Sequence, residues 1–155
     1  MNPYQLIVDK LRASDIQFDE LDHEPIYTTE EAAQVHGLSL DAGAKSLLLK
    51  TKEGFLLVVL AGSRKLDSKK LKKLLGIKDI RFASPAEVKD TLGCIVGACY
   101  PLGSVAGVPT YLDNSLLSQE VISFNPGLHD KTIKVKLADY LIVEQPQQVD
   151  VSVEV

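Results

Sequence analysis

Lys45 is the first residue whose type and position could do chemistry, because it lies near the start of an apolar run. Side chains alternate along a strand, so Lys45 shares a face with Leu47 and Leu49. An ammonium on a core-facing side either extends to solvent at the strand end or binds an anionic or carbonyl ligand. The residues alone leave both interpretations open and favour extension to solvent.

A loop rich in glycine and proline is the second candidate. Gly97, Pro101, Gly103, Gly107 and Pro109 fall within 13 residues, which is too dense for the interior of a helix or strand. Successive free amides in such a loop can bind a carbonyl oxygen or a developing oxyanion. A plain turn between strands is the alternative, and the loop has no Walker or dinucleotide-binding pattern.

The cysteines and histidines are weaker candidates. Cys99 would be a nucleophile only with a nearby base and a lowered pKa, and a buried structural thiol is the alternative. Cys94 and Cys99 match neither a zinc-finger spacing nor a disulfide framework, so we expect both to be reduced. The histidines lack metal-binding spacing, so no metal is predicted; His129 either lines a pocket or lies on the surface.

The elements that position these residues follow a mixed pattern. Apolar residues at Tyr4, Ile7, Val8 and Leu11 predict a first helix. Capping signals and glycine stops predict further helices over 28–37, 67–76 and 84–93. Apolar runs predict strands near 16–23, 44–51, 55–61, 121–124 and 133–137, with a hairpin turn ending at Gly54. The fold class is therefore α/β of the α+β type, with helices packed around a mixed, largely antiparallel sheet.

Composition predicts one domain over residues 1–144, because 155 residues with 45% hydrophobic content can enclose a core without a metal or disulfide. The polar segment 145–155, with valines at alternate positions, suits either a frayed terminus or an edge strand, and we expect a flexible tail. No apolar run approaches the roughly 20 residues that span a bilayer, and the N-terminus lacks a signal-peptide block. We therefore expect a cytoplasmic protein without membrane contact.

Charge is distributed unevenly along the chain. The net charge of −4 argues against sequence-blind nucleic-acid coating. Residues 64–81, however, contain eight basic and two acidic residues, which gives a local charge of +6. This segment either contacts phosphates or is a solvated helix face. The candidate phosphate contacts are Arg64, Lys65, Lys69, Lys70 and Lys73.

Three segments taken together resemble the YbaK/prolyl-tRNA synthetase-associated domain family. They are Ala44–Leu49 with Lys45, the Gly97-x-x-x-Pro101-Leu102-Gly103 loop, and Asn125-Pro126-Gly127 followed by residues 133–141. The resemblance extends from Tyr4 to Val143 and implies the editing-domain fold of that family. Its members are aminoacyl-tRNA deacylases that remove small amino acids such as alanine or cysteine, either free-standing or inserted in prolyl-tRNA synthetase.

The resemblance also implies residue roles. Lys45 would hold the substrate ester and terminal adenosine, and Gly97 and Pro101 would shape the catalytic loop. His129 would match a histidine found in alanine-removing members, whereas Asn125 and Thr132 depart from the serine and aspartate of cysteine-specific members. Residues expected to line the substrate site are Ile26, Ser46, Ala98, Gly103, Asn125 and His129.

The implied function is trans-editing: hydrolysis of the ester of tRNA, presumed to be tRNA(Pro), mischarged with alanine or cysteine. No cofactor is implied, and the expected partners are aminoacyl-tRNA and prolyl-tRNA synthetase. Two alternatives stay open at this point. One is a binding module of the same fold without turnover, and the other is an esterase for a different small acyl group.

Overall fold

The structure, a computed structural model, describes residues 2–25 and 39–155. The helix expected over 28–37 and the substrate residue Ile26 lie outside the described residues. Within the described ranges, no helix is long and apolar enough to cross a membrane.

Local sequence signals set the helix boundaries. The helices in the described chain are α1 (Pro3–Ala13), α2 (Ser68–Leu75), α3 (Pro85–Leu92) and α4 (Leu137–Glu144). The Asp67 side chain caps α2, and Gly76 ends it in the left-handed region at φ 67°. Ser84 and Glu87 form the expected capping box of α3. The predictions for α1, α2 and α3 are confirmed.

The strands form one central sheet and two smaller ones. They are β1 (Asp19–Asp22), β2 (Ala44–Thr51), β3 (Gly54–Ala61), β4 (Arg64–Leu66), β5 (Arg81–Phe82), β6 (Thr110–Asp113), β7 (Val121–Phe124), β8 (Lys131–Lys136), β9 (Gln147–Val149) and β10 (Ser152–Glu154). The central order is β5-β2-β3-β6-β9, beside β1-β8-β7 and β10-β4. Only the β3–β6 and β6–β9 pairings among these strands are parallel. The predicted mixed, largely antiparallel sheet with surrounding helices is confirmed.

The β2–β3 hairpin separates two hydrophobic clusters because its side chains alternate between the two faces of the sheet. Ala44 and Leu48 face the larger cluster, which also contains the buried side of α1 and the side chains of Tyr100 and Phe124. Leu47 and Leu49 face the smaller cluster, which packs against α2 and the C-terminal valines. Both faces are covered, so the hairpin is the central support of the fold.

The expectation of a flexible tail after residue 144 is wrong. Strand β9 pairs in parallel with β6, and β10 pairs antiparallel with β4. Val149 and Val151 are buried in the smaller cluster. The alternating valines therefore mark edge strands, whose partners lie 36 or more positions away along the chain and leave no local signal.

Candidate functional site

Lys45 lies on the face of β2 that also carries Leu47 and Leu49, as the two-residue period predicted. It is half-buried and sits opposite Leu60 of β3. Its ammonium donates a hydrogen bond to the backbone carbonyl oxygen of Arg64, at the start of β4. The cation is thus held near the base of the hairpin by a backbone carbonyl of the protein itself.

Ser46 points to the opposite face of β2, toward the larger cluster, because adjacent strand residues alternate. Its hydroxyl is buried and has no hydrogen-bond partner among the described residues. A buried hydroxyl without a partner is costly, which makes Ser46 a candidate for binding a ligand.

A backbone bridge brings the start of β2 beside the end of β7. Gly43 pairs in parallel with Ser123, so both strands run side by side in the same direction. Lys45 and Asn125 each lie two residues beyond this bridge. The bridge therefore joins the backbone at the start of β2 to the strand that leads into the 125–131 loop, while the Lys45 side chain lies on the face of Leu47 and Leu49.

The 125–131 loop is closed internally and packed on its neighbours. The Asn125 side-chain amide donates to the Lys131 carbonyl at 3.0 Å, so this residue shapes the loop. Gly127 adopts φ 84°, and an added Cβ would lie 2.9 Å from Cγ of Pro3. His129 is half-buried. His23, from the end of β1, contacts the base of the loop through Nε2, 2.8 Å from the Thr132 hydroxyl.

The Gly97–Pro101 loop joins the 125–131 loop through one backbone hydrogen bond. The Gly127 amide donates to the Ala98 carbonyl at 3.1 Å, and the Ala98 amide donates to Ile95 at 3.0 Å. Pro101 is buried, and its carbonyl accepts a hydrogen bond of 2.6 Å from the Tyr140 hydroxyl. Backbone contacts thus connect the start of β2, strand β7 with the 125–131 loop that follows it, and the Gly97–Pro101 loop.

Tyr100 anchors this loop to the core. It is fully buried, and its hydroxyl donates to the Leu92 carbonyl at 2.7 Å. Burial is the main cause that raises the pKa of Tyr100 above its ordinary value, so the phenol stays neutral and acts as a structural donor. Gly97 is exposed and adopts φ 98°, where a side chain would be strained. Among the described residues, no protein acceptor receives the amides of Cys99 and Tyr100.

Gly103 does not offer its amide to a substrate, contrary to the expectation from the sequence. That amide donates to the Thr110 hydroxyl at 2.9 Å, and Gly103 is buried. A Cβ at this position would lie 2.3 Å from the Val108 carbonyl oxygen. Gly103 is therefore needed for close packing of the loop on β6.

Gly103→Ala should lower the free energy of unfolding by about 3 kcal/mol, because the added methyl group overlaps the Val108 backbone, which must shift to make room. Urea unfolding of the variant beside Gly43→Ala measures the effect. A Cβ at Gly43 meets only the Leu40 carbonyl, at 3.6 Å, and φ there is −75°, so this control should change little. Equal unfolding midpoints for the two variants would contradict the packing role.

The proposed tRNA-binding residues divide into two groups. Lys65, Lys69 and Lys73 are exposed. Arg64 instead donates to Ser152 through Nε at 2.8 Å and Nη2 at 3.1 Å, and Lys70 donates to the Ser152 carbonyl at 3.2 Å. The side chains of Arg64 and Lys70 thus hold strand β10 in place.

A buried carboxylate behind this contact was missed by the sequence interpretation. Asp113 is 1% exposed and accepts hydrogen bonds from the Val151 amide, the Ser152 hydroxyl and the Ser115 amide at 2.7 to 3.0 Å. Burial alone would raise the pKa of this carboxyl, but the hydrogen bonds outweigh burial and keep it below its ordinary value. The backbone partners at Ser115 and Val151 give no sequence signal.

No group of three or more metal-ligating side chains occurs within residues 2–25 and 39–155. The candidate residues offer one cation, loop amides and hydroxyl or imidazole groups. Such a set can position an ester and stabilise an oxyanion without covalent chemistry.

Comparison with known proteins places this geometry in a family. Residues 23–142 match the aminoacyl-tRNA editing domain. The chain is 31% identical over 152 residues to the multifunctional Ser/Thr-tRNA deacylase ProXp-y of Escherichia coli K12, covering 95% of this chain and 91% of that protein. It is 27% identical to the prolyl-tRNA editing protein ProX of Acetoanaerobium sticklandii, over 90% of this chain and 88% of that one.

A solved structure has the same fold. The crystal structure of a protein assigned provisionally as a trans-editing enzyme for prolyl-tRNA synthetase superposes with a TM-score of 0.86 at 24% identity, covering 99% of this chain and 98% of the other. The chain therefore belongs to the aminoacyl-tRNA editing domain family, and the prediction of an aminoacyl-tRNA deacylase is confirmed.

Proposed function

We propose that this chain removes a small, wrongly attached amino acid from tRNA by hydrolysing the ester bond. The observation that supports the proposal is a set of backbone contacts that connects the three segments. The Gly43–Ser123 bridge joins the start of β2 to the strand that leads into the 125–131 loop, and the Gly127–Ala98 hydrogen bond joins that loop to the Gly97–Pro101 loop.

The reaction suits a site without a protein nucleophile. An aminoacyl ester is already activated, so positioning and oxyanion stabilisation can supply the rate. In this mechanism Lys45 orients the acylated 3′ end. The amides of Cys99 and Tyr100 polarise the ester carbonyl, and water attacks with help from a hydroxyl of the terminal ribose.

The substrate class follows from two sources. The resemblance of the motifs points to alanine or cysteine on tRNA(Pro), and the similarity to ProXp-y adds serine and threonine. All four have small side chains, so a small pocket would admit them and exclude larger residues by steric clash. The buried Ser46 hydroxyl could accept or donate a hydrogen bond to a hydroxylated substrate.

The test is release of labelled amino acid from preformed aminoacyl-tRNA. The panel contains alanine, cysteine, serine and threonine on tRNA(Pro), and also serine and threonine on their cognate tRNAs. Prolyl-tRNA(Pro) is the substrate that should be spared. We expect release of at least one small residue and none of proline. Binding of tRNA without release from any member would instead support a non-catalytic tRNA- or synthetase-binding module.

We also propose that the exposed lysines of α2 contact tRNA phosphates. Lys69→Glu combined with Lys73→Glu should weaken tRNA binding at least about tenfold at low salt and lower the salt slope by about two. Filter binding over a salt series measures both. Lys10→Glu with Arg12→Glu on α1 makes the same charge change elsewhere, and equal losses for both pairs would show only a general charge effect.

A further inference from the structure

Two thiols meet beside the Gly97–Pro101 loop. The sulfur atoms of Cys94 and Cys99 lie 3.8 Å apart, and both cysteines are free. Cys94 is buried in the larger hydrophobic cluster, whereas Cys99 is partly exposed between Gly97 and Pro101. Ile95, Val96 and Gly97, which separate the two cysteines, are exposed, so small solutes can reach this turn.

The two thiols are chemically unequal. A hydrogen bond from Cys94 is the main cause that lowers the pKa of Cys99, and the Gly97 amide also favours its thiolate. The same thiol contact, together with burial, raises the pKa of Cys94. The pair therefore has a partly exposed, more acidic cysteine beside a buried neutral one, an arrangement typical of a reactive cysteine and its resolving partner.

We propose that Cys94 and Cys99 form a peroxide-sensitive modification site that closes reversibly as a disulfide and switches off the hydrolase. The Cys99 thiolate attacks hydrogen peroxide, the O–O bond breaks, and Cys99 becomes a sulfenic acid as the released hydroxide takes up a proton to form water. The Cys94 sulfur then attacks the Cys99 sulfur, and the leaving hydroxide takes the Cys94 proton. In total, two thiols and one peroxide give one disulfide and two waters.

Closure requires the sulfur atoms to move from 3.8 Å to the bond length of about 2 Å. Cys94 is fixed in the core, so most of this movement falls on Cys99. The Cys99 backbone amide lies in the loop that we propose polarises the ester carbonyl, and a displacement of about 1 Å at a reacting centre can cost roughly 100-fold in rate. Oxidation should therefore lower deacylation at least about tenfold, and a dithiol reductant should restore it.

The chemical half of the proposal is tested without tRNA. The purified chain is treated with hydrogen peroxide, the remaining thiols are alkylated, and the intact mass is measured. The wild type should lose two hydrogen atoms and take up no alkyl group, and dithiothreitol should reverse both changes. Survival of two alkylatable thiols, or only irreversible oxygen adducts, would overturn the proposal whatever the substrate of the enzyme.

Cys94→Ala removes the resolving sulfur and should not form the internal disulfide. Cys94→Ser keeps the side-chain size and replaces it if the alanine variant does not fold. The regulatory half rests on the proposed function and is measured on the aminoacyl-tRNA that the wild type hydrolyses. Disulfide formation with undiminished hydrolysis would refute the switch, whereas reversible loss in the wild type and no reversible loss in the Cys94 variant supports it.

Discussion

Lys45→Met should lower kcat/KM for deacylation by about 100-fold, the loss expected when the reacting ester is no longer held in position. Methionine keeps the length and apolar stem of lysine but removes the ammonium that reaches the Arg64 carbonyl. Because that contact lies at the N-terminal end of β2, we expect the fold to persist with a modest fall in Tm. Single-turnover hydrolysis and thermal unfolding of the same sample measure the two effects.

Lys50→Met is the matched control on the same strand. Lys50 lies near the other end of β2, where its ammonium stands 4.4 Å from the ring centre of Phe55. The control removes a lysine from the same sheet without touching the proposed site, and its rate should equal that of the wild type. Full activity of Lys45→Met would remove Lys45 from the mechanism, and equal losses in both variants would indicate a general effect on the sheet.

The predictable part of this fold is the part specified by neighbouring residues. Asp67 and Ser84 cap their helices through contacts within three positions, and Gly76 ends α2 by adopting a conformation that few other residues tolerate. The two-residue period of β2 correctly placed Lys45 on the face of Leu47.

The contacts that the sequence did not reveal are those between distant segments. The tail pairs with β4 and β6, and its alternating valines suit a frayed end as well as an edge strand. Gly103 looked like a ligand-binding glycine, but its role depends on the backbone of Val108 five positions later. The carbonyl that binds Lys45 belongs to the backbone of Arg64, and backbone groups have the same chemistry at every position.

The proposed site is therefore supported by the segment that the sequence predicted to be a flexible tail. Strand β10 pairs with β4, and the Arg64 side chain donates to Ser152 while its carbonyl accepts from Lys45. The Ser152 hydroxyl in turn donates to Asp113. This chain of hydrogen bonds connects the C-terminal strand to the proposed catalytic lysine.

Asp113→Ala should lower the free energy of unfolding by about 3 kcal/mol near pH 7, because it leaves buried donors of Ser115, Val151 and Ser152 without their charged acceptor. Asp113→Asn should also destabilise, since its amide would place N–H groups against the Ser115 amide. Asp150→Asn is the matched control. The Asp150 carboxylate is largely exposed, and its 3.5 Å ion pair with Lys70 contributes little to the free energy of unfolding.

The destabilisation should depend on pH in a defined direction. The pKa of Asp113 is lower in the folded than in the unfolded chain, so its contribution is complete above the unfolded value of about 4. It is lost as the pH falls through the folded pKa, where the native carboxylate takes up a proton. Urea unfolding at pH 7 and at pH 3 should therefore show a smaller difference between wild type and Asp113→Ala at the lower pH. A difference that is constant, or larger in acid, would mean that the charge of Asp113 is not what holds the C-terminal strand.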